Sequence, residues 1–431
     1  MMNSELKSNL LTFEKTTLSN GLRVVTSEMP FTMAVSINVY VGVGSRYETE
    51  EMAWISHFIE HLMFKGTNRR PTPFEISSAI EGTGGVINAG TEQELTVYWV
   101  KVGHAYFEES LDLLMDMLHN SLFEHQSVEK ERMVVLEELN MITDYPNYRA
   151  DALIDEMLWP KHPLGRDIGG TKDSISDITR EMMLDHTSRY YVPSNIVVSV
   201  AGNVQHQQVV NQVEALTDGW CSGSPDVWSP FTDIQSTPQL RLEFRKTEQA
   251  HLVIAFPGLP LAHPDRFGLD ILSVMLGEGM SSRLFVEIRE KEGLAYDVHS
   301  GVSYFLDCGA FVITAGVEPR RIYTVVDKIL AQLTNIREGV PKEELERAKR
   351  LISGRLMLRM EDTRAISAWM GNQEMLMKDI MQFDDVVESI NRVSTEDIEK
   401  VASSILVEEK LNMAVVGPCR GGRRLEKLMK L

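Results

Sequence analysis

Two stretches of this chain read alike and stand at nearly the same offset from one another. Thr179-Arg-Glu-Met-Met-Leu-Asp opens a helical pattern, and the strand-like Ile196-Val-Val-Ser-Val-Ala-Gly202 follows it. Near the C-terminus, Thr395-Glu-Asp-Ile-Glu-Lys-Val opens a second helical pattern, followed by Leu411-Asn-Met-Ala-Val-Val-Gly417. A recurring helix-then-strand unit points to an internal duplication. The length, 431 residues, is also more than one small core accommodates. Residues 217–239, rich in Ser, Pro, Gly and Asp and free of helical or alternating periodicity, read as the connection. The expected organisation is two similar domains, 10–218 and 240–431, joined by a linker at 219–239.

Within the first half, Val35, Ile37, Val39 and Val41 alternate with Ser36, Asn38 and Tyr40, the pattern of a strand with one buried face. Residues 86–102 read as a strand pair or one bent strand, and helical patterns follow at 106–119 and 127–143. Strands and helices mixed in this way favour an α+β fold, each domain a mostly antiparallel sheet covered by helices.

The chemistry concentrates in His57-Phe58-Ile59-Glu60-His61. On a helix, His57 and His61 project from one face about one turn apart, with Glu60 beside them. Two neutral imidazoles at that spacing grip one Zn²⁺, and the adjacent carboxylate is placed to take a proton from water at the metal. Thr49 is the expected cap of this helix, with Glu50 and Glu51 in its first turn and Gly66 just past its end. A catalytic zinc usually has three protein ligands. The pattern at 127–143 offers Glu129, Glu131, Glu137 and Glu138, with Glu131 and Glu138 two turns apart on one face; spacing does not choose among them.

Composition narrows the class. Acidic residues outnumber basic ones 62 to 43, for a net charge of -19, which disfavours a nucleic-acid backbone as partner. Cys221, Cys308 and Cys419 lie far apart with no paired spacing, as expected of a protein in a reducing compartment. The first residues lack the apolar core of a signal peptide, and no run of about 18 apolar residues occurs, so a soluble, cytoplasmic protein with no membrane partner is expected. Residues 165–172 read as a turn and not a phosphate loop, because Thr171 separates Gly170 from Lys172. His162, His251 and His299 have no metal-like spacing, and the basic residues from Arg420 to Lys430 read as a solvated helix end.

His57-Phe-Ile-Glu60-His61 followed by Leu-Met-Phe-Lys-Gly-Thr67 resembles the zinc box of the insulinase/pitrilysin metallopeptidases, especially the mitochondrial processing peptidase β-type and its bacterial relatives. The resemblance spans nearly the whole chain. Thr17-Leu-Ser-Asn-Gly-Leu-Arg-Val-Val resembles the family's opening strand, Asn88-Ala-Gly-Thr91 its substrate-pairing edge strand, and Arg289-Glu-Lys-Glu-Gly-Leu-Ala-Tyr296 part of its C-terminal signature. It implies one zinc held by His57, His61 and Glu138, with Glu138 at the family's separation from His61. It further implies Glu60 as the general base, Glu131 as a supporting acid, and Arg289 with Tyr296 as the pair that polarises the scissile carbonyl. Asn88, Ala89 and Thr91 would line a peptide bound as an added β-strand. Gly90 departs from the family, which often has a larger residue there. The expected activity is zinc-dependent endopeptidase action on unfolded peptides by a homodimer. The alternatives are a non-catalytic scaffold of the same fold, or one subunit of a processing-peptidase-like heterodimer.

Overall fold

A computed structural model describes residues 12–166 and 170–431. The extreme N-terminus and residues 167–169, part of the turn expected at 165–172, lie outside the described residues. The strands are β1 (Glu14–Thr17), β2 (Arg23–Glu28), β3 (Ala34–Val41), β4 (Val86–Thr91), β5 (Thr96–Gly103), β6 (Ile196–Gly202), β7 (Gln239–Phe244), β8 (Ala250–Pro257), β9 (Ala295–Tyr304), β10 (Gly309–Val317) and β11 (Asn412–Gly417). They form two sheets, ordered β1-β2-β6-β3-β5-β4 and β7-β11-β8-β10-β9.

The second sheet repeats the first, β1 apart. In each, one parallel pairing (β2 with β6, β7 with β11) is followed by three antiparallel ones. The fold is therefore α+β and internally duplicated. In the segment resembling the family's opening strand, Thr17 ends β1 and Arg23-Val-Val begins β2, so it spans a hairpin corner. Gly21, at φ +91°, turns the chain between β1 and β2, and the Asn20 carboxamide oxygen accepts from Leu22 N at 3.1 Å.

Two compact units emerge, and neither is contiguous in the chain. One holds the residues up to Glu137, those from 170 to Trp228, and Met357–Phe383; the other holds 138–166, Ser229–Leu356 and Asp384–Leu431. Each unit thus takes in a helix from the far part of the chain. Helix Thr363–Met377 lies on β3 and β6 in the first unit, and helix Pro146–Leu158 lies on β8 and β11 in the second.

These helices explain a departure from the alternation in β3. Val35, Ile37, Val39 and Val41 are buried as expected, but so are Ser36, Asn38 and Tyr40. The polar side of the strand faces the far helix and not water. Ser36 Oγ lies 2.9 Å from Thr363 Oγ1, and Tyr40 OH donates to the Ala368 carbonyl at 3.3 Å. Ser199 and Ser367 each donate a hydroxyl to the other's carbonyl, at 2.7 and 2.8 Å. Buried hydroxyls are tolerated because each has such a partner. Ile366 and Met370 of the same helix join Val25, Met29, Val197 and Ala201 in an apolar cluster. In the second unit, Ala150, Leu153, Ile154 and Met157 pack on Val253, Ala255, Ala414 and Val416.

The close approach in the first unit falls at Gly371, where a Cβ would overlap the Tyr40 ring and come within 2.9 Å of Ser199 Cβ. Glycine to alanine on an open helix stabilises by up to about 1 kcal/mol. Here the sign reverses: Gly371→Ala is expected to destabilise by about 1–3 kcal/mol through overpacking, read as a lower urea midpoint at unchanged slope.

Candidate metal centre

The histidine helix runs Ile55–Leu62, shorter than the expected span, and Thr49 does not cap it. Trp54 stands at its head with φ at 86°, and the cap is the carboxylate of Glu48. Glu48 Oε2 accepts from Trp54 N at 2.8 Å and Oε1 accepts from Ser56 N at 2.9 Å. The start of the helix is buried, so its free N–H groups need protein acceptors, and a buried carboxylate also complements the positive end of the helix dipole. Sequence reasoning missed Glu48 because its distance from the helix start fits no standard capping spacing. Gly66, at φ +145°, comes just past the helix end as expected.

Along this helix Ile55, Phe58, Ile59 and Leu62 are buried, which leaves His57 and His61 on the half-buried side. Their Nε2 atoms are 3.1 Å apart. Helix His125–Asp144 is a single continuous element that carries both Glu131 and Glu138. One ligand atom from each of His57, His61 and Glu138 falls within 4.8 Å of the other two, the one such cluster of three among the described residues. Of the four acids left open by spacing, Glu138 joins the two histidines, while Glu131 Oε1 lies 2.8 Å from His61 Nδ1. Glu131 Oε2 in turn takes Lys65 Nζ at 2.7 Å. Lys65, one turn beyond His61, was legible as a neighbour on the same helix face but was not singled out.

The donor chemistry fits a zinc ion. Burial, and secondarily the neighbouring His61, lower the pKa of His57 to about 4, so its ring is neutral near pH 7. The indole N–H of Trp54 stands against His57 Nδ1, on the side of the ring away from His61. His61 donates from Nδ1 to Glu131 and leaves its Nε2 lone pair facing His57. The Nε2 atoms stand 3.1 Å apart, and the two rings together with Glu138 are the groups that would hold a metal ion. Glu131 is buried, which raises its pKa, but the hydrogen bonds from His61 and Lys65 outweigh burial and keep it below the usual carboxylate range. An ionised partner on the far nitrogen orients a ligating imidazole and increases its basicity.

Glu60 is 8% exposed, and Thr91 Oγ1 donates to its Oε2 at 2.7 Å. Thr91 closes β4, the edge strand of its sheet. Of the residues named from sequence as lining a bound peptide, Thr91 therefore touches Glu60. Asn88 and Ala89 lie further along the edge, with Asn88 Oδ1 accepting from Ala89 N at 2.8 Å. Arg289 and Tyr296 belong to the other unit and meet each other there. The Arg289 guanidinium sits 5.0 Å from the Tyr296 ring centre and 4.7 Å from that of Phe285, and Tyr296, on β9, is exposed.

Two measurable consequences arise from this geometry. Glu131→Ala is expected to weaken zinc binding about 10–100-fold, read by competition with a chromophoric chelator. In chelator-treated protein, His57 and His186, both held by burial at about 4, protonate more readily once unfolded, where a histidine titrates near 6.5. The stability they confer is therefore complete above pH 6.5 and is lost as pH falls toward 4, by about 2–3 kcal/mol per group. Urea unfolding at pH 7.5, 5.5 and 4.5 checks it, and His57→Asn should remove the part of the loss that His57 contributes.

Comparison with known proteins agrees with the fold. A family model described as Insulinase (Peptidase family M16) matches residues 23–172, and one described as Peptidase M16 inactive domain matches residues 177–352. An uncharacterized zinc protease of Streptomyces coelicolor is 35% identical across 95% of this chain and 90% of its own length. The uncharacterized zinc protease YmxG of Bacillus subtilis is 33% identical across 93% of this chain and 97% of its own. Among solved structures, a protease from Helicobacter pylori superposes with a TM-score of 0.89 at 24% identity, covering 95% of this chain and all of that one. A chain described as a peptidase M16 inactive domain from Pseudomonas fluorescens superposes with a TM-score of 0.86 at 18% identity, covering 95% of this chain and 98% of its own. With both halves matched and relatives of this identity aligned end to end, the chain belongs to the insulinase family of peptidases, M16.

Proposed function

We propose that this protein is a zinc-dependent endopeptidase that hydrolyses extended, unfolded peptides. The observation that carries the reading is the convergence of His57, His61 and Glu138 on one point, with Glu60 alongside and tied to a sheet edge. His57, His61 and Glu138 would hold the ion, which when bound supplies Lewis acidity and makes water a nucleophile near neutral pH.

The chain's own groups do the rest. Glu131, backed by Lys65, fixes the His61 ring. Glu60 takes a proton from the attacking water and delivers it to the departing amine nitrogen. Thr91, by donating to Glu60 Oε2, helps to hold that carboxylate in place. The substrate adds as a strand along β4, whose outer backbone groups are those of a sheet edge, so that main-chain pairing supplies affinity with little demand on sequence. Arg289 and Tyr296, stacked together on the second half, are assigned to the electrophilic side, donating to the oxyanion as charge develops. The description of the second half's model as an inactive domain suits a half that contributes binding groups and no metal ligands.

Glu60→Gln is expected to retain one zinc per chain by metal analysis while cleavage of a quenched peptide falls about 10²–10⁴-fold or more. Wild-type protein should lose cleavage on chelation and regain it with added zinc. Wild-type cleavage rates in Glu60→Gln, or cleavage indifferent to chelator, would overturn the assignment.

A further inference from the structure

Between β4 and β5 the chain turns at residues 92–95, and this turn is fastened to the segment that precedes the histidine helix. Glu92 N donates to the Leu95 carbonyl at 2.9 Å and closes the turn. From the other segment, Ser45 N donates to the Glu92 carbonyl at 3.2 Å and Arg46 N to that of Gln93 at 2.8 Å. The backbones approach so closely that a Cβ on Gly44 would overlap the Glu92 carbonyl oxygen. At the next residue of the turn the contact becomes ionic. Arg46 Nη1 donates to Glu94 Oε1 at 2.5 Å, and the guanidinium lies over the Trp228 ring, 3.9 Å from its centre.

Arg46 is 1% exposed and Glu94 4%, so both charges have been taken out of water. Desolvation offsets most of the attraction within a buried ion pair, and apolar side chains of similar size often serve stability as well. What the pair adds is direction. A guanidinium with a ring on its face and a carboxylate at its edge fixes the turn in one placement. That placement matters on both sides. Two residues after Arg46, Glu48 holds the start of the histidine helix through Trp54 N and Ser56 N. Immediately before the turn, Thr91 donates to Glu60 of the same helix. Glu60, Thr91, the turn, Arg46 and Glu48 thus close a ring of contacts that joins the edge strand to the helix bearing the proposed base.

We infer that Arg46 and Glu94 are positioning residues, whose ion pair sets where Thr91 and the outer edge of β4 stand relative to Glu60. The inference rests on the reading of Glu60 as the general base and of β4 as the substrate edge. Both residues act through Thr91 and the strand it ends. A misplacement of about 1 Å between a base and the bond it serves costs on the order of 100-fold in rate, so a small shift of the turn is enough.

The test replaces the pair with apolar side chains, R46M/E94L, in full-length, zinc-loaded protein and reads cleavage of a quenched peptide. The kcat is expected to fall about 10–100-fold while KM stays within about twofold and zinc content by metal analysis is unchanged. T91V should cost a similar factor in the wild-type background but less than about twofold more in R46M/E94L, because both changes break the same chain of contacts. A pair that served stability alone would move the urea midpoint and leave the kcat of the folded protein, and the full effect of T91V, as they were. E94Q keeps the side-chain shape and an acceptor oxygen for Arg46, and it carries the test if the paired variant does not fold. Its expected loss is about two- to fivefold in kcat, with the same reduced effect of T91V. Wild-type kcat in these variants, losses that multiply independently with T91V, or loss of zinc overturns the inference. Chelator-sensitive cleavage by the wild type with an unaltered kcat in R46M/E94L removes the positioning role alone, whereas a wild type that cleaves no peptide removes the catalytic reading and the inference with it.

Discussion

A helix of two turns whose first turn is buried cannot stand on its own hydrogen bonds. Its leading N–H groups have no partners within the helix, and so short a segment gains little from propagation. In this protein the carboxylate of Glu48 answers that constraint, with one oxygen on Trp54 N and the other on Ser56 N. The rest of the helix depends on this clamp. His57 comes one residue after the clamped Ser56 and His61 one turn later, so the direction in which both rings point is set where Glu48 holds the backbone. The second anchor is Glu131, which takes the far nitrogen of His61 and is itself held by Lys65. Between these two acids the imidazoles have little freedom, and a preorganised pair loses less on binding an ion than a floppy one.

The same economy of buried polar groups organises the sheet behind the site. The hydroxyls of Ser36, Tyr40, Ser199, Thr363 and Ser367 form a polar seam between the first sheet and a helix drawn from the far part of the chain. Alternation in β3 suggests one apolar and one solvated face, because a hydroxyl-bearing residue looks the same in sequence whether its partner is water or a carbonyl. Burial of both faces is settled by what arrives to cover the second one, and that helix is more than 300 residues away along the chain, as the separation of 327 between Ser36 and Thr363 shows.

Local chemistry was readable wherever the interaction is local. The histidine pair, the strand pair at 86–102 and the helices near 106–119 and 127–143 all stem from periodicities that a short window contains. Among the acids of the second helix, a window could not distinguish Glu131 from Glu138, since both lie on one face. Their division, one beside the His57–His61 rings and one behind His61, is a matter of how far along the helix each sits from a neighbour supplied by another segment. Thr91 is similar: its place on an edge strand was legible, but its bond to Glu60 was not.

The sequence by itself determined that the chain is duplicated, that it builds mixed sheets and helices, and that His57, Glu60 and His61 share a helical turn, because each is written in short-range spacing or in its repetition. Only the tertiary structure decided that each unit is completed by a helix from the far part of the chain and that Glu48 and not Thr49 closes the histidine helix. The first joins segments distant along the chain, and the second spans six to eight residues at no standard capping spacing. They depend on which surfaces are brought together to bury apolar area and pair polar groups, and no local pattern encodes that choice.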